Sequence, residues 1–463
     1  MSAELLRAPL LPAVEPVGGA RVAGPLAEAR AGSATGWRPR PTLDLARTAL
    51  PPVLRPAATL AVLDVTEFFG ETSGGVRTYL ERKAAYVAAH PALRQVLVVP
   101  GAHDALEDGE GVRCYRLRGP RVPMRPPYRF MLALRQPRRI VEHERPDVVE
   151  IGSPGLVPWI VRLATRRMGA ARGGVPLVHF WHSHYPRQLG GSHAGGPGAG
   201  RGDGVLGRLA WRYARRIDRL FDVTVVASAF VARELAAAGI DRVAHVPLGV
   251  DLARFHPRRR AHARTTRAAH GLPLSAPLAL YVGRFAPDKR LDVVLDAWAA
   301  VRRRTGAALV LVGAGSEEAR LRAHPEGARA TWLPFEHDRE RLADLMAAAD
   351  VQLAPGPLET FGLAVVEAMA SGTPVVAVDA GAAAELVARS GGGRCFAPGD
   401  AGALAEAVVA VLDGGAEGLH ALGRSARAHA EREHAWSAVF DRLFALHAAV
   451  AGGAWARPAG RGR

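Results

Sequence analysis

Residues 357–374 read Pro-Leu-Glu-Thr-Phe-Gly-Leu-Ala-Val-Val-Glu-Ala-Met-Ala-Ser-Gly-Thr-Pro and lie between two short apolar runs, Val351-Gln-Leu-Ala354 and Val375-Val-Ala-Val378. Such runs, bounded by turn residues, fit strands buried on both faces, and the stretch between them suits a packed helix. Strand, helix and strand in this order make a parallel crossover unit. Outward from it the same unit recurs. Apolar runs at 278–282, 308–312 and 330–333 precede it, each followed by a helix-compatible stretch. An earlier series has runs at 58–65, 95–100, 147–151, 176–181 and 223–228, with helical stretches at 76–90, 130–143, 159–168, 206–219 and 231–238. The basic, polar stretch 255–267 separates the two series and reads as a linker.

The expected fold class is therefore α/β, with two doubly wound domains whose ligands lie at the carboxyl ends of the strands, in the crevice between them. The domains are expected at 58–255 and 256–433, followed by an amphipathic helix at 434–450. Residues 1–57 are rich in Ala, Pro, Gly and Arg without periodicity and read as a disordered leader. Residues 190–207 carry nine glycines and read either as a tolerated insertion or as a lid over an acceptor.

Composition narrows the functional classes. The chain has 463 residues and a formal charge of +16, from 60 Lys+Arg against 44 Asp+Glu. Only Lys83 and Lys289 are lysines, so the excess is arginine, as GC-rich coding would give. That charge reads as solvated surface, not as a nucleic-acid footprint. Cys114 and Cys395 are too few for a disulfide framework or a zinc site, which favours a reducing, cytoplasmic setting. The longest uncharged stretch, 268–283, contains His270, Pro273 and Pro277 and is shorter than the roughly 18–20 apolar residues of a spanning helix.

Four constellations carry chemistry. In 357–374 the helix start offers the backbone N–H groups of Phe361, Gly362 and Leu363 to an anion, with diphosphate as the natural guest. Glu359 stands at that start, and Glu367, eight residues on, sits among apolar neighbours where an unpaired carboxylate is costly. A ribose diol or an arginine would satisfy it. Second, Tyr281-Val-Gly-Arg-Phe-Ala-Pro-Asp-Lys289 places Arg284 and Lys289 on one loop, a fork and a point charge suited to phosphate oxygens. Third, Gly74 and Gly75 open a helix after the first strand and let backbone approach a ligand. Fourth, His179-Phe-Trp-His-Ser-His184 ends a strand, with alternation sending His182 and His184 to one face. Substrate hydrogen bonding by His182, packing and metal ligation all remain open, and no Cys or HExxH pattern supports the metal.

Together these residues resemble a retaining glycosyltransferase of family 4, over about residues 58–450. The match rests on Glu359 to Glu367 with Ala368-Met-Ala-Ser-Gly-Thr-Pro-Val-Val376, on Gly283-Arg284 to Lys289, on Val246-Pro-Leu-Gly-Val-Asp251 and on Ser73-Gly-Gly-Val76. The resemblance implies the GT-B architecture, two Rossmann-like domains facing across a cleft, with the helix at 434–450 crossing back to the first domain. It implies a hexose moved from a UDP- or GDP-sugar, with GDP-mannose or UDP-glucose favoured, to a glycan or lipid-linked acceptor. It also implies roles. Arg284 and Lys289 would bind the diphosphate, with Gly74, Gly75, Phe361, Gly362 and Leu363 around it. Glu359 and His182 would stand at the transferred sugar and Glu367 at the ribose. No role attaches to Glu150, whose segment Glu150-Ile-Gly-Ser-Pro154 matches loosely. No Asp-x-Asp triplet is present, so no metal and no cofactor are expected, the nucleotide sugar being the donor substrate.

The other reading is a basic membrane-surface or polyanion-binding protein. In 206–220, Arg208, Arg212, Arg215, Arg216 and Arg219 stand beside Leu209, Trp211, Ile217 and Leu220, as on an interfacial helix or an ordinary crossover helix. Peripheral contact at the inner membrane face is compatible with catalysis.

Overall fold

The computed structural model describes residues 38–39, 44–69, 75–123, 128–166, 174–189 and 204–455. Gly74, most of the expected leader and the greater part of the Gly-rich stretch lie outside the described residues. The first sheet has nine strands: β1 (Arg38–Pro39), β2 (Leu60–Val65), β3 (Leu93–Gly101), β4 (Ala105–Asp108), β5 (Val112–Arg118), β6 (Val148–Ile151), β7 (Leu177–Phe180), β8 (Val223–Val226) and β9 (Val243–His245). Their spatial order is β1-β4-β5-β3-β2-β6-β7-β8-β9. The second sheet comprises β10 (Leu278–Val282), β11 (Ala308–Val312), β12 (Thr331–Leu333), β13 (Val351–Ala354), β14 (Val375–Val378) and β15 (Gly393–Phe396), in the order β12-β11-β10-β13-β14-β15.

All pairings in the second sheet are parallel, and in the first only β4 runs antiparallel to its neighbours β1 and β5. Both sheets are doubly wound. The order reverses between β2 and β6 in one and between β10 and β13 in the other, which puts a ligand crevice at the carboxyl ends of each pair. Apolar runs become central strands because helices cover both faces: all six residues of β2 are buried. The last helix, Trp436–Ala451, packs on the helix Gly75–Ala88, where Tyr86 stacks on Phe444 with ring centroids 5.4 Å apart. One apolar core thereby joins Val62, Leu280, Val366 and Phe440 across both halves.

Three expectations change. Residues 44–57 are tied to the first sheet's layer: Leu45 is buried beside Leu63 and Val65, and Arg113 donates to the carbonyls of Pro51 and Pro52. An Ala- and Pro-rich segment is held here by side chains of the body, which its own composition does not reveal. The stretch 255–267 is not a loose linker. It forms a 3-10 turn, Pro257–His262, and the start of the helix Ala263–Ala269, and buried Arg267 donates to Ala348 O and Asp350. The helix expected from 130 begins at Arg135, and the N–H groups of Phe130 and Met131 donate to Pro120 O and Glu67 Oε1.

Candidate functional site

In the second sheet, the loop after β10 carries Arg284 and ends in a 3-10 turn, Pro287–Lys289, while the loop after β13 carries Glu359 and enters the helix Leu363–Ala370. These are the two strands at which the order reverses. Lys289 Nζ donates to Glu359 Oε2 at 2.6 Å, and the N–H of Gly362 donates to Glu359 Oε1 at 3.3 Å. The ammonium, opposed by burial and aided by the amides of Gly362 and Phe361, holds the Glu359 carboxyl below its ordinary range. Burial favours a neutral Lys289, but Glu359 outweighs it and holds the ammonium above its usual range. Both groups are therefore charged at neutral pH. Gly362 has φ +87, a left-handed conformation that lets the chain turn so that the helix start faces this pair.

Arg284 is mostly exposed, with Nη2 3.3 Å from Asp288 Oδ1, and Asp288 Oδ2 lies 3.9 Å from Lys289 Nζ, so the two cations flank one carboxylate. Glu367 is buried on the inner face of its helix and pairs with Arg339, whose guanidinium also lies 5.1 Å above the Phe255 ring. Of the two partners open from the sequence, the structure pairs Glu367 with an arginine. Burial nevertheless outweighs Arg339 and raises the Glu367 carboxyl above its ordinary value.

The two halves meet at helix starts. A Cβ on Gly75 would stand 2.6 Å from Leu363 Cδ1, so only glycine allows this approach without displacing Leu363. Ser228, which caps the helix Ala229–Ala237, donates from Oγ to Thr360 O at 2.8 Å. Phe361 is buried with its ring edge-on to His434, at 5.7 Å between centroids. Two helix N-termini, at Gly75 and Leu363, thus converge beside the Lys289–Glu359 pair, an arrangement favourable to an anion.

On the first sheet, His182 stacks on Phe180 at 4.3 Å and meets Tyr79 edge-on at 5.4 Å, in a small pocket shared with Thr66, Gly152, Asp64 and Glu150. Burial pushes its pKa down to about 4, so the ring is neutral and can donate from one nitrogen only. His184 does not share its face, contrary to the alternation argument. The strand ends at Phe180, and His184 turns instead to Trp211, at 5.5 Å, and Phe230. Among the described residues no three His, Cys, Asp or Glu side chains are grouped as metal ligands.

Sequence reasoning missed a charged cluster directly beneath His182. Asp64 on β2 and Glu150 on β6 are in register, and Lys83 stands between them, with Nζ 2.6 Å from Asp64 Oδ1 and 3.1 Å from Glu150 Oε2. Tyr79, one turn earlier on the same helix, donates to Glu150 Oε1 at 2.8 Å, and Gln95 donates to Asp64 Oδ2 at 2.6 Å. His447 of the last helix brings Nε2 to 2.9 Å from Glu150 Oε2. All are buried. One cation serves two carboxylates, so burial, reinforced by Glu150 and opposed by Lys83, pushes Asp64 up to about 7. Against its own burial, Lys83 with His447 and Tyr79 holds Glu150 below its usual range. A signal did exist: Lys83 and Lys289 are the only two lysines in the sequence, and both are ammoniums bonded to carboxylates at the two crevices.

Comparisons with known proteins place the family and the fold. Residues 73–254 match the family model for Glycosyltransferase Family 4, and residues 263–429 match that for Glycosyl transferases group 1. A GDP-mannose-dependent alpha-(1-6)-phosphatidylinositol dimannoside mannosyltransferase of Mycobacterium tuberculosis is 33% identical over 341 residues, 72% of this chain and 83% of that protein. A D-inositol 3-phosphate glycosyltransferase of Catenulispora acidiphila is 34% identical over 299 residues, 61% of this chain and 66% of that one. Among solved structures, a sucrose-phosphate synthase from Thermosynechococcus elongatus superposes with a TM-score of 0.67 at 22% identity, over 85% of this chain and 100% of that one. HepE of Anabaena, solved with UDP, gives 0.62 at 17% identity over 84% and 100%. Two sheets reversed at facing crevices, each half matched by its own family model and most of a mannosyltransferase covered, show that the chain belongs to glycosyltransferase family 4, as a hexosyltransferase of GT-B architecture that uses a nucleotide sugar.

Proposed function

We propose that the chain transfers mannose from GDP-mannose, with retention of configuration and without a metal ion, to a glycan or lipid-linked acceptor. The observation that carries this reading is the Lys289–Glu359 pair set against two converging helix N-termini. That site offers an ammonium and backbone amides to a diphosphate, and those groups can supply the charge that a bound cation would otherwise provide. The identity to GDP-mannose-dependent relatives supports the donor.

In this reading the incoming diphosphate takes Lys289 from Glu359, and Arg284 swings in from solvent to a second oxygen. Gly75, Phe361, Gly362 and Leu363 surround the phosphates. Glu367 exchanges Arg339 for the ribose hydroxyls. Glu359, ionised, accepts hydroxyls of the transferred sugar and stabilises positive charge at its anomeric carbon; it is too acidic to serve as a proton donor. Neutral His182 donates to the sugar from the other side. As the bond from the anomeric carbon to phosphate breaks, a bond to the acceptor oxygen forms on the same face, and the acceptor proton passes to the departing phosphate. Retention follows from that same-face path. The chain works in the cytoplasm in this account. A lipid-linked acceptor implies contact with the membrane face that holds it, which exposed Val205, Leu206 and Leu209 on the Arg-rich helix Val205–Asp218 support.

A thermal-shift titration against GDP, UDP and ADP with EDTA present tests the donor site. A ligand that binds only the folded state raises stability by RT ln(1 + [L]/Kd). GDP should give the largest shift, Arg284→Ala/Lys289→Ala should markedly reduce it, and Glu367→Ala should weaken the affinity about tenfold, the loss of one charge-assisted hydrogen bond. No shift with any nucleotide, or an undiminished shift in the double variant, contradicts the reading.

A further inference from the structure

The crevice at the carboxyl ends of β2 and β6 contains a carboxylate with no task in this mechanism. Glu67 follows Thr66, which shares the small pocket of His182. Its Oε1 accepts the N–H of Met131 at 2.9 Å, and its own N–H donates to Ser153 Oγ at 3.3 Å. Oε2 accepts no hydrogen bond among the described residues and faces Gly155, where an added Cβ would stand 3.1 Å from it. Gly155 O in turn accepts Tyr213 OH at 2.6 Å. Three segments therefore meet at one half-buried carboxylate: residues 128–134, residues 152–156 and the helix Val205–Asp218. Burial raises its carboxyl against the Met131 amide.

Each of those segments also exposes leucine. Leu132 and Leu134, Leu156, and Leu206 and Leu209 are all more than half exposed, five of the ten exposed large hydrophobic side chains among the described residues. Scattered apolar residues are ordinary on a surface; their concentration on the three segments that frame one open acceptor oxygen marks a ligand surface. The oxygen fits a hydroxyl, and the leucines fit hydrocarbon.

We infer that Glu67 accepts a hydroxyl of the acceptor's head while the leucine rim receives an apolar tail joined to it, so that the acceptor is an amphiphile with a hydroxylated head and not a free sugar. This rests on the transferase reading, because adjacency to the His182 pocket is what puts the head beside the transferred sugar. Glu67 is a binding residue here and takes no proton.

The test is calorimetric titration of the full chain, saturated with the nucleotide that gives the thermal shift. The probes are methyl α-D-mannopyranoside and octyl α-D-mannopyranoside, the latter kept below its micellar concentration. The octyl glycoside should bind at least tenfold tighter than the methyl one. Glu67→Gln, which keeps the Met131 contact, should weaken both about tenfold, and Leu132→Ser/Leu156→Ser should weaken only the octyl glycoside. Equal affinity for the two, binding of neither, or full affinity in Glu67→Gln overturns the proposal. The nucleotide shift in the same samples reports folding and the donor site. Its loss in the wild type sinks the transferase reading, whereas its presence without glycoside binding sinks this inference alone.

Discussion

Lys289→Ala should lower kcat by about 100- to 1,000-fold, while the affinity for nucleotide falls by only about tenfold. The asymmetry follows from where charge develops. In the resting protein Lys289 is satisfied by Glu359, so binding a diphosphate exchanges one anion for another and gains little. In the transition state the leaving diphosphate acquires additional charge at the oxygen nearest the ammonium. A cation 4 Å away at an effective dielectric near 20 is worth on the order of 4 kcal/mol before desolvation. Removing it also leaves Glu359 held only by backbone amides, so its carboxyl rises toward the ordinary range. Arginine should not restore the rate, because a planar fork cannot occupy the place of a compact ammonium on a 3-10 turn. Steady-state kinetics with direct nucleotide titration separate the two effects. A variant that loses affinity and turnover equally would reduce Lys289 to a binding residue.

The second large effect concerns stability. Lys83→Met should destabilise the fold by about 3–5 kcal/mol, the usual cost of removing one partner from a buried ion pair. Asp64 and Glu150 face each other across adjacent strands, and without Lys83 two buried carboxylates would lack a cation. Adding Asp64→Asn should recover a substantial part of the loss, and urea unfolding of the three proteins measures both. A cost under about 1 kcal/mol would mean that the cluster relaxes into water. The sign of the pH dependence is fixed as well. The folded pKa of Asp64, about 7, lies above its ordinary 3.8, so its contribution is complete below that ordinary value and is lost as pH rises through 7. Wild type should lose ground to Asp64→Asn between pH 4 and 7.

The sequence exposed the architecture where both faces of a strand are buried, since uninterrupted apolar runs such as 278–282 and 351–354 admit little else. It concealed β5, because Arg113, Arg116 and Arg118 break the apolar pattern. Arg113 is nonetheless buried, its charge met by Asp108 on the paired strand and by Glu144, 31 residues on, which no local pattern announces. The same reasoning separates the two lysines. Lys289 stands in a short motif with Arg284, so its surroundings were readable along the chain. Lys83, Asp64, Glu150 and His447 are brought together only by helix-to-sheet packing and by the last helix crossing back. The conformations within the motif were also beyond reach: that Lys289 rests on Glu359, that Arg339 holds Glu367 and that Arg284 faces solvent depend on packing between segments distant in the chain.

The central claim is retaining, metal-free transfer from a nucleotide sugar. The direct measurement is proton NMR and mass spectrometry of the product formed from GDP-mannose and octyl α-D-mannopyranoside with EDTA present. The account predicts an α-linked dimannoside and one GDP released per linkage. A β-linked product, a product formed only after a divalent cation is added, or no transfer under either condition would contradict it.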